Sequence, residues 1–298
     1  MKKTNLLLSI ATLVSLFTFN GCGNNDEKTS SSSSSVVGSI NINVKKVVHD
    51  FSVEAKTGKR LNNVSINIYN GNELLETVVT NFIGNAQIEI LPGTYTVTLE
   101  NLPTGYVAEE SYELLVENKY GKTAFKCSSE VIDSEMPADK VYKSSDIIYN
   151  YTFTDTNEEE RSFKSIFDDE GKDLIIITFW ASWCGYCLHE FPFFNTLDKV
   201  YGDRVEVIGF NPDVPLQGHP TPDSDATILE YKEAYEISWT MALGNHFDYY
   251  SKYFPSGISL PLTVFVSKYG IIEYMQNGAF STEDEVLDMA EKYLNNIG

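Results

Sequence analysis

From Ser39 to about Ile132 apolar and polar residues alternate, the period of a strand with one buried face. Ile40, Ile42 and Val44 make one such ladder, Val64, Ile66 and Ile68 a second, and Tyr95, Val97 and Leu99 a third. Turn chemistry separates the ladders at Lys56-Thr57-Gly58, Asn70-Gly71-Asn72, Ile83-Gly84-Asn85, Pro92-Gly93 and Asn118 to Gly121. Short strands with such frequent turns predict an all-β sandwich over residues 39–132.

The pattern then changes. Asp133 to Lys143 is polar and contains Pro137, so residues 133–145 read as a linker into a second domain that runs to residue 298. Ile147 to Phe153 predicts an opening strand, and Phe163 to Phe167 a short helical turn. Leu174 to Phe179 is unbroken apolar sequence, as a strand covered on both faces requires. From Leu188 the period becomes helical, burying Leu188, Phe191, Phe194, Leu197 and Val200 and stopping before Gly202. Pro192 lacks an N–H and is expected to kink that helix. Strands at Val205 to Phe210, Leu260 to Val266 and Ile271 to Met275 alternate with helices at Asp225 to Ile237 and His246 to Phe254. A last helix near Ser281 buries Val286, Met289, Ala290, Tyr293 and Leu294.

A chain of 298 residues with 42% apolar content can fill two cores. Its formal charge of -20 becomes -22 once Lys2 and Lys3 leave with a leader, which argues against nucleic-acid or anionic-lipid binding by the folded part. The leader itself is Met1-Lys2-Lys3 followed by apolar Leu6 to Phe19, too short to span a bilayer comfortably. It ends Phe19-Asn20-Gly21-Cys22, which resembles a bacterial lipobox, although leucine is usual where Phe19 stands. The resemblance implies removal of residues 1–21, lipidation of Cys22 and anchoring at the extracytoplasmic face of a bacterial cell membrane. The competing reading is ordinary cleavage that leaves a free terminal cysteine. Residues 22–38, with six consecutive serines from Ser30, read as a flexible tether.

Chemistry concentrates at Cys184-Gly185-Tyr186-Cys187, where an apolar strand hands two cysteines to a helix start. Unpaired N–H groups there favour a thiolate, which makes Cys184 the candidate nucleophile. Cys187, about one turn on, can close a disulfide and expel a bound partner. No second C-x-x-C or H-x-x-x-H accompanies the pair, so no metal set is expected, and Leu188 stands where a c-type haem would need histidine. His189 falls about 140° around the helix from Cys184 and is expected off that face. A fixed stapling disulfide remains the structural alternative. Cys127 shares a strand face with Phe125 and is expected in the core.

Phe179-Trp180-Ala181-Ser182-Trp183-Cys184-Gly185-Tyr186-Cys187, with Glu190 and Pro192, resembles the thioredoxin-fold proteins, and within them the TlpA and ResA families. Leu91 to Val97, continuing to Tyr106, resembles prealbumin-like modules such as the carboxypeptidase regulatory and CnaB repeats. The first resemblance implies a mixed central sheet with flanking helices and a protein thiol–disulfide oxidoreductase that needs no cofactor. It also implies a cis Pro261 that turns the Leu260 backbone toward Cys184, a substrate surface at Trp183, Leu260 and Pro261, and Glu190 as the group that handles protons. Glu190 facing solvent is the competing reading, and Thr178 stands where thioredoxin keeps a buried aspartate. The family further implies protein disulfide substrates, electrons from a membrane thiol carrier, and a reductase role such as cytochrome c maturation. A disulfide isomerase or oxidase, a peroxide-reducing redoxin and a surface-binding protein that works through the sandwich are the alternatives.

Overall fold

The computed structural model describes residues 44–213, 221–254 and 259–296. The expected leader, Cys22, the serine-rich tether and the first two ladder positions, Ile40 and Ile42, lie outside them. Residues 44–298 group as one compact unit.

The first half is a two-sheet sandwich of eight strands: β1 (Val47–Ala55), β2 (Ser65–Asn70), β3 (Glu73–Val79), β4 (Asn85–Ile90), β5 (Gly93–Glu100), β6 (Tyr106–Val107), β7 (Tyr112–Val116) and β8 (Gly121–Ser129). One sheet has the order β4-β1-β8-β6 and the other β3-β2-β5-β7. Alternation does the sorting. Phe51, Val53, Ile66, Ile68, Val97, Leu99 and Phe125 point into one core, and Cys127 lies with them as expected. Val44 departs from expectation: it is irregular and exposed, and the first strand begins at Val47, where pairing with Ile90 of β4 starts, with β8 joining from His49.

The second half begins with β9 (Thr152–Thr154), β10 (Glu160–Ser162) and α1 (Phe163–Asp168). It continues with β11 (Leu174–Phe179), α2 (Gly185–Tyr201), β12 (Val205–Phe210), α3 (Asp225–Ala234) and β13 (Thr240–Met241). It closes with α4 (Phe247–Tyr253), β14 (Leu262–Ser267), β15 (Ile272–Asn277) and α5 (Glu283–Asn295). The central sheet is mixed, in the order β13-β12-β11-β14-β15, with β12 parallel and β14 antiparallel to β11. β11 sits in the middle, so all six of its residues are buried. Leu174 and Ile176 face α2 and α5, whereas Ile175, Ile177 and Phe179 face α1, α4 and Tyr142.

Several local expectations need correction. Val200 is exposed, because it falls about 150° from the centre of the α2 face that carries Cys187, Phe191 and Phe194, and Tyr201 takes its place against the core. The helix at Asp225 ends at Ala234 rather than Ile237; Glu236 then turns at φ 50°, and Ile237 is buried from a loop. Ile147 to Tyr149 is held by single bridges to Ile271 and Ile132, and regular strand starts at Thr152. The polar stretch before it has no regular element, yet Tyr142 is wholly buried and its N–H donates to Tyr253 O at 2.8 Å.

Candidate active site

The central strand ends at Phe179, and α2 begins six residues later at Gly185. Cys184 is the N-cap of that helix: its Sγ accepts the Cys187 N–H at 3.2 Å, and its carbonyl accepts from Leu188 at 3.1 Å. One of the orphan donors of the helix N-terminus is therefore spent on sulfur, the geometry that stabilises negative charge there. Cys184 and Cys187 are joined as a disulfide with Cα atoms 5.2 Å apart. Cys187 is the deeper of the two, set into the core with Phe191.

A groove opens over Cys184, walled by Trp183, Gly185, Tyr186, His189 and Leu260. It continues into a hollow formed by Ser259, Leu260, Pro261 and the loop Gly278 to Ser281. The Leu260–Pro261 peptide bond is cis. Trp183 and Tyr186 are both exposed, so the pair sits among aromatic rings open to an incoming chain. His189 overturns its expected position, since it lines both hollows. The reason is that Cys184 caps the helix at φ -85°, ψ 88°, so the 100° step per residue does not apply from it.

Glu190 is 0% exposed, which removes the solvent-facing alternative. Its Oε1 accepts the Phe280 N–H at 2.7 Å, while Oε2 is buried without a hydrogen-bond partner. Burial pushes its pKa up to about 7, against the opposing effect of the Phe280 hydrogen bond. A carboxyl so placed holds or releases a proton near neutrality. Phe280, its backbone partner, carries no signal in the sequence. Thr178, at the position of the missing aspartate, is buried opposite Gly209 and Thr263.

Residues 145–275 match the AhpC/TSA family, and residues 41–129 match a prealbumin-like fold domain. The chain is 25% identical over 169 residues to the thiol-disulfide oxidoreductase ResA of Oceanobacillus iheyensis, covering 56% of this chain and 79% of that one. It is 24% identical over 123 residues to the thioredoxin-like protein YneN of Bacillus subtilis, covering 40% and 65% respectively. A solved putative protein disulfide isomerase from Bacteroides thetaiotaomicron overlays on 54% of this chain and 95% of its own, at 20% identity and a TM-score of 0.42. Sheet order, cysteine pair and sequence relatives together define a thioredoxin-fold protein thiol–disulfide oxidoreductase. Within that class the chain is TlpA/ResA-like, with a prealbumin-like domain ahead of the redox domain.

Proposed function

We propose that this oxidoreductase works as a membrane-anchored reductase of protein disulfides outside the cytoplasm, held there by lipid on Cys22. Cys184 thiolate attacks one sulfur of a substrate disulfide, forming a mixed disulfide and releasing the other substrate sulfur as thiolate. Cys187 then gives up its proton and attacks Cys184 Sγ. The second substrate thiolate leaves, and the pair is oxidised. Two electrons from a membrane thiol carrier restore the dithiol. Glu190, one turn beyond Cys187, takes the Cys187 proton. Trp183 and the Leu260-Pro261 backbone receive the substrate segment. Apocytochrome c thiols are a substrate suited to this role, since their haem attachment requires the reduced form.

The observation that carries the reading is the asymmetry of the pair: Cys184 lies under an open groove at a helix N-terminus while Cys187 is sealed behind it. Such asymmetry suits one sulfur to attack and the other to resolution. The test is the equilibrium reduction potential of the pair against glutathione, combined with trapping by Cys187→Ser. A potential near that of thioredoxin, about -270 mV, and a stable mixed disulfide through Cys184 are expected. A value toward about -120 mV would make the chain a disulfide donor instead, and a pair that never titrates would return the stapling disulfide. Loss of c-type cytochromes on deletion tests the narrower role.

A further inference from the structure

Both residues that lead into Cys184 are gripped by carboxylates from the segment after β12. Asp213 is 1% exposed; its Oδ1 accepts the Trp183 Nε1–H at 2.7 Å and its Oδ2 accepts the Asp223 N–H at 2.7 Å. Asp223 in turn accepts from the Ser182 N–H at 2.7 Å and the Asn211 Nδ2 at 2.7 Å through Oδ2, and from the Ser182 hydroxyl at 2.5 Å through Oδ1. Asn211 closes the cage by accepting the Asp213 N–H at 2.9 Å, and Tyr231 OH donates to Ser182 O at 3.3 Å. Both oxygens of each aspartate accept from donors. An asparagine at 213 would turn its NH2 group toward the Trp183 indole N–H or the Asp223 N–H, neither of which can accept, so that place needs two acceptor oxygens.

Trp183 is 42% exposed and walls the groove beside Cys184. A half-exposed indole left to itself samples several rotamers. Here its N–H edge is tied inward to Asp213 while Asp223 fixes the backbone just before it, so the ring offers one settled wall to an incoming chain. We propose that Asp213 and Asp223 are positioning residues that hold Ser182-Trp183 against the groove and so favour protein disulfides over small ones. This rests on the thiol–disulfide exchange reading above. A protein segment touches the indole wall as well as the sulfur, whereas a small disulfide needs little beyond the sulfur.

The experiment mixes the pre-reduced full chain with excess insulin, as the protein disulfide, or with glutathione disulfide. Asp213→Asn is expected to raise the half-saturating insulin concentration about fivefold, with the limiting rate within about twofold of wild type. Its preference for insulin over glutathione disulfide falls by about the same factor. Trp183→Phe produces a similar shift, and the double variant is no worse than Trp183→Phe alone. Fully additive effects, or equal shifts for both disulfides, overturn the proposal. If Asp213→Asn does not fold, Trp183→Phe decides alone, and a wild-type half-saturation for insulin then overturns it. A wild-type chain that exchanges with neither disulfide overturns the functional reading itself, an outcome distinct from failure of the positioning role.

Discussion

At the scale of single residues, Glu190 is where burial and chemistry conflict most. Its folded pKa of about 7 lies above the ordinary 4.5 because a wholly buried carboxylate loses its hydration. Between those values the folded chain holds a proton that the unfolded chain has lost, so stability falls as pH rises. The associated stability is complete below about pH 4.5 and gone above about pH 7, a change on the order of 3 kcal/mol. Glu190→Gln removes this slope. In urea unfolding of the oxidised protein the variant should match wild type near pH 4.5 and exceed it by about 3 kcal/mol at pH 8. Equal stabilities at both pH values would show that Glu190 keeps an ordinary pKa. The exchange rate of Glu190→Gln should likewise lose any titration near pH 7. The spacing of Cys187 and Glu190 is legible in the sequence but the side of the helix they share is not, since Phe280 and its loop, which cover that side, lie ninety residues on. The same shortfall explains His189, whose direction depends on a cap geometry that no spacing reveals.

Among the elements, β11, β12 and α2 form the frame that holds the cysteine pair, and their patterns were largely legible. An unbroken apolar run marks a strand covered on both faces, and Phe191, Phe194 and Leu197 recur at helical spacing on α2. Short elements were not legible in the same way. Ile147 to Tyr149 has strand-like residues but finds only isolated bridges, a matter of partners rather than propensity. Gly209 on β12 shows a tighter constraint. A Cβ there would lie 2.7 Å from Trp239 Cζ3 and 3.3 Å from Trp180 Nε1, and both indoles are buried. Gly209→Ala therefore forces rings in a filled core to move, one of them on the segment leading to Cys184. A loss of about 2 kcal/mol is expected, read from the urea midpoint at unchanged slope, with an altered near-ultraviolet tryptophan signal. Wild-type stability would mean the indoles yield freely. On α2, Leu197→Ala empties a fully buried site and should cost about 2–5 kcal/mol by the same measurement.

For the whole molecule the question is how a sandwich and a redox domain, each legible separately, become one compact unit. The seam is small. Ile132, Ile147 and Ile271 bury one another with Tyr106, Tyr149 and Tyr269 around them, while Ser129 Oγ donates to Tyr269 O at 2.9 Å and Lys56 Nζ to Tyr269 OH at 3.0 Å. In sequence these isoleucines lie in short apolar runs, Val131-Ile132, Ile147-Ile148 and Ile271-Ile272, far apart along the chain, so no periodicity marks them as a shared core. In the turn before β15, Gly270 adopts φ 71° with Val131 N only 2.7 Å from where a Cβ would lie, so the two halves meet there backbone to backbone. Ile→Ala at a buried position costs about 2–5 kcal/mol, and the pair Ile147→Ala with Ile271→Ala removes two of the three apolar anchors of this seam. All three tryptophans, Trp180, Trp183 and Trp239, belong to the redox half. Tryptophan fluorescence therefore follows that half alone, whereas far-ultraviolet dichroism follows both. In wild type the two urea transitions should coincide, as unfolding through a shared seam requires. In the double variant the fluorescence midpoint should fall below that of the sandwich, and the curves should separate. Separate curves in wild type would mean the halves unfold independently, and coincident curves in the double variant would place their coupling in the Tyr269 and Gly270 contacts rather than in the isoleucines.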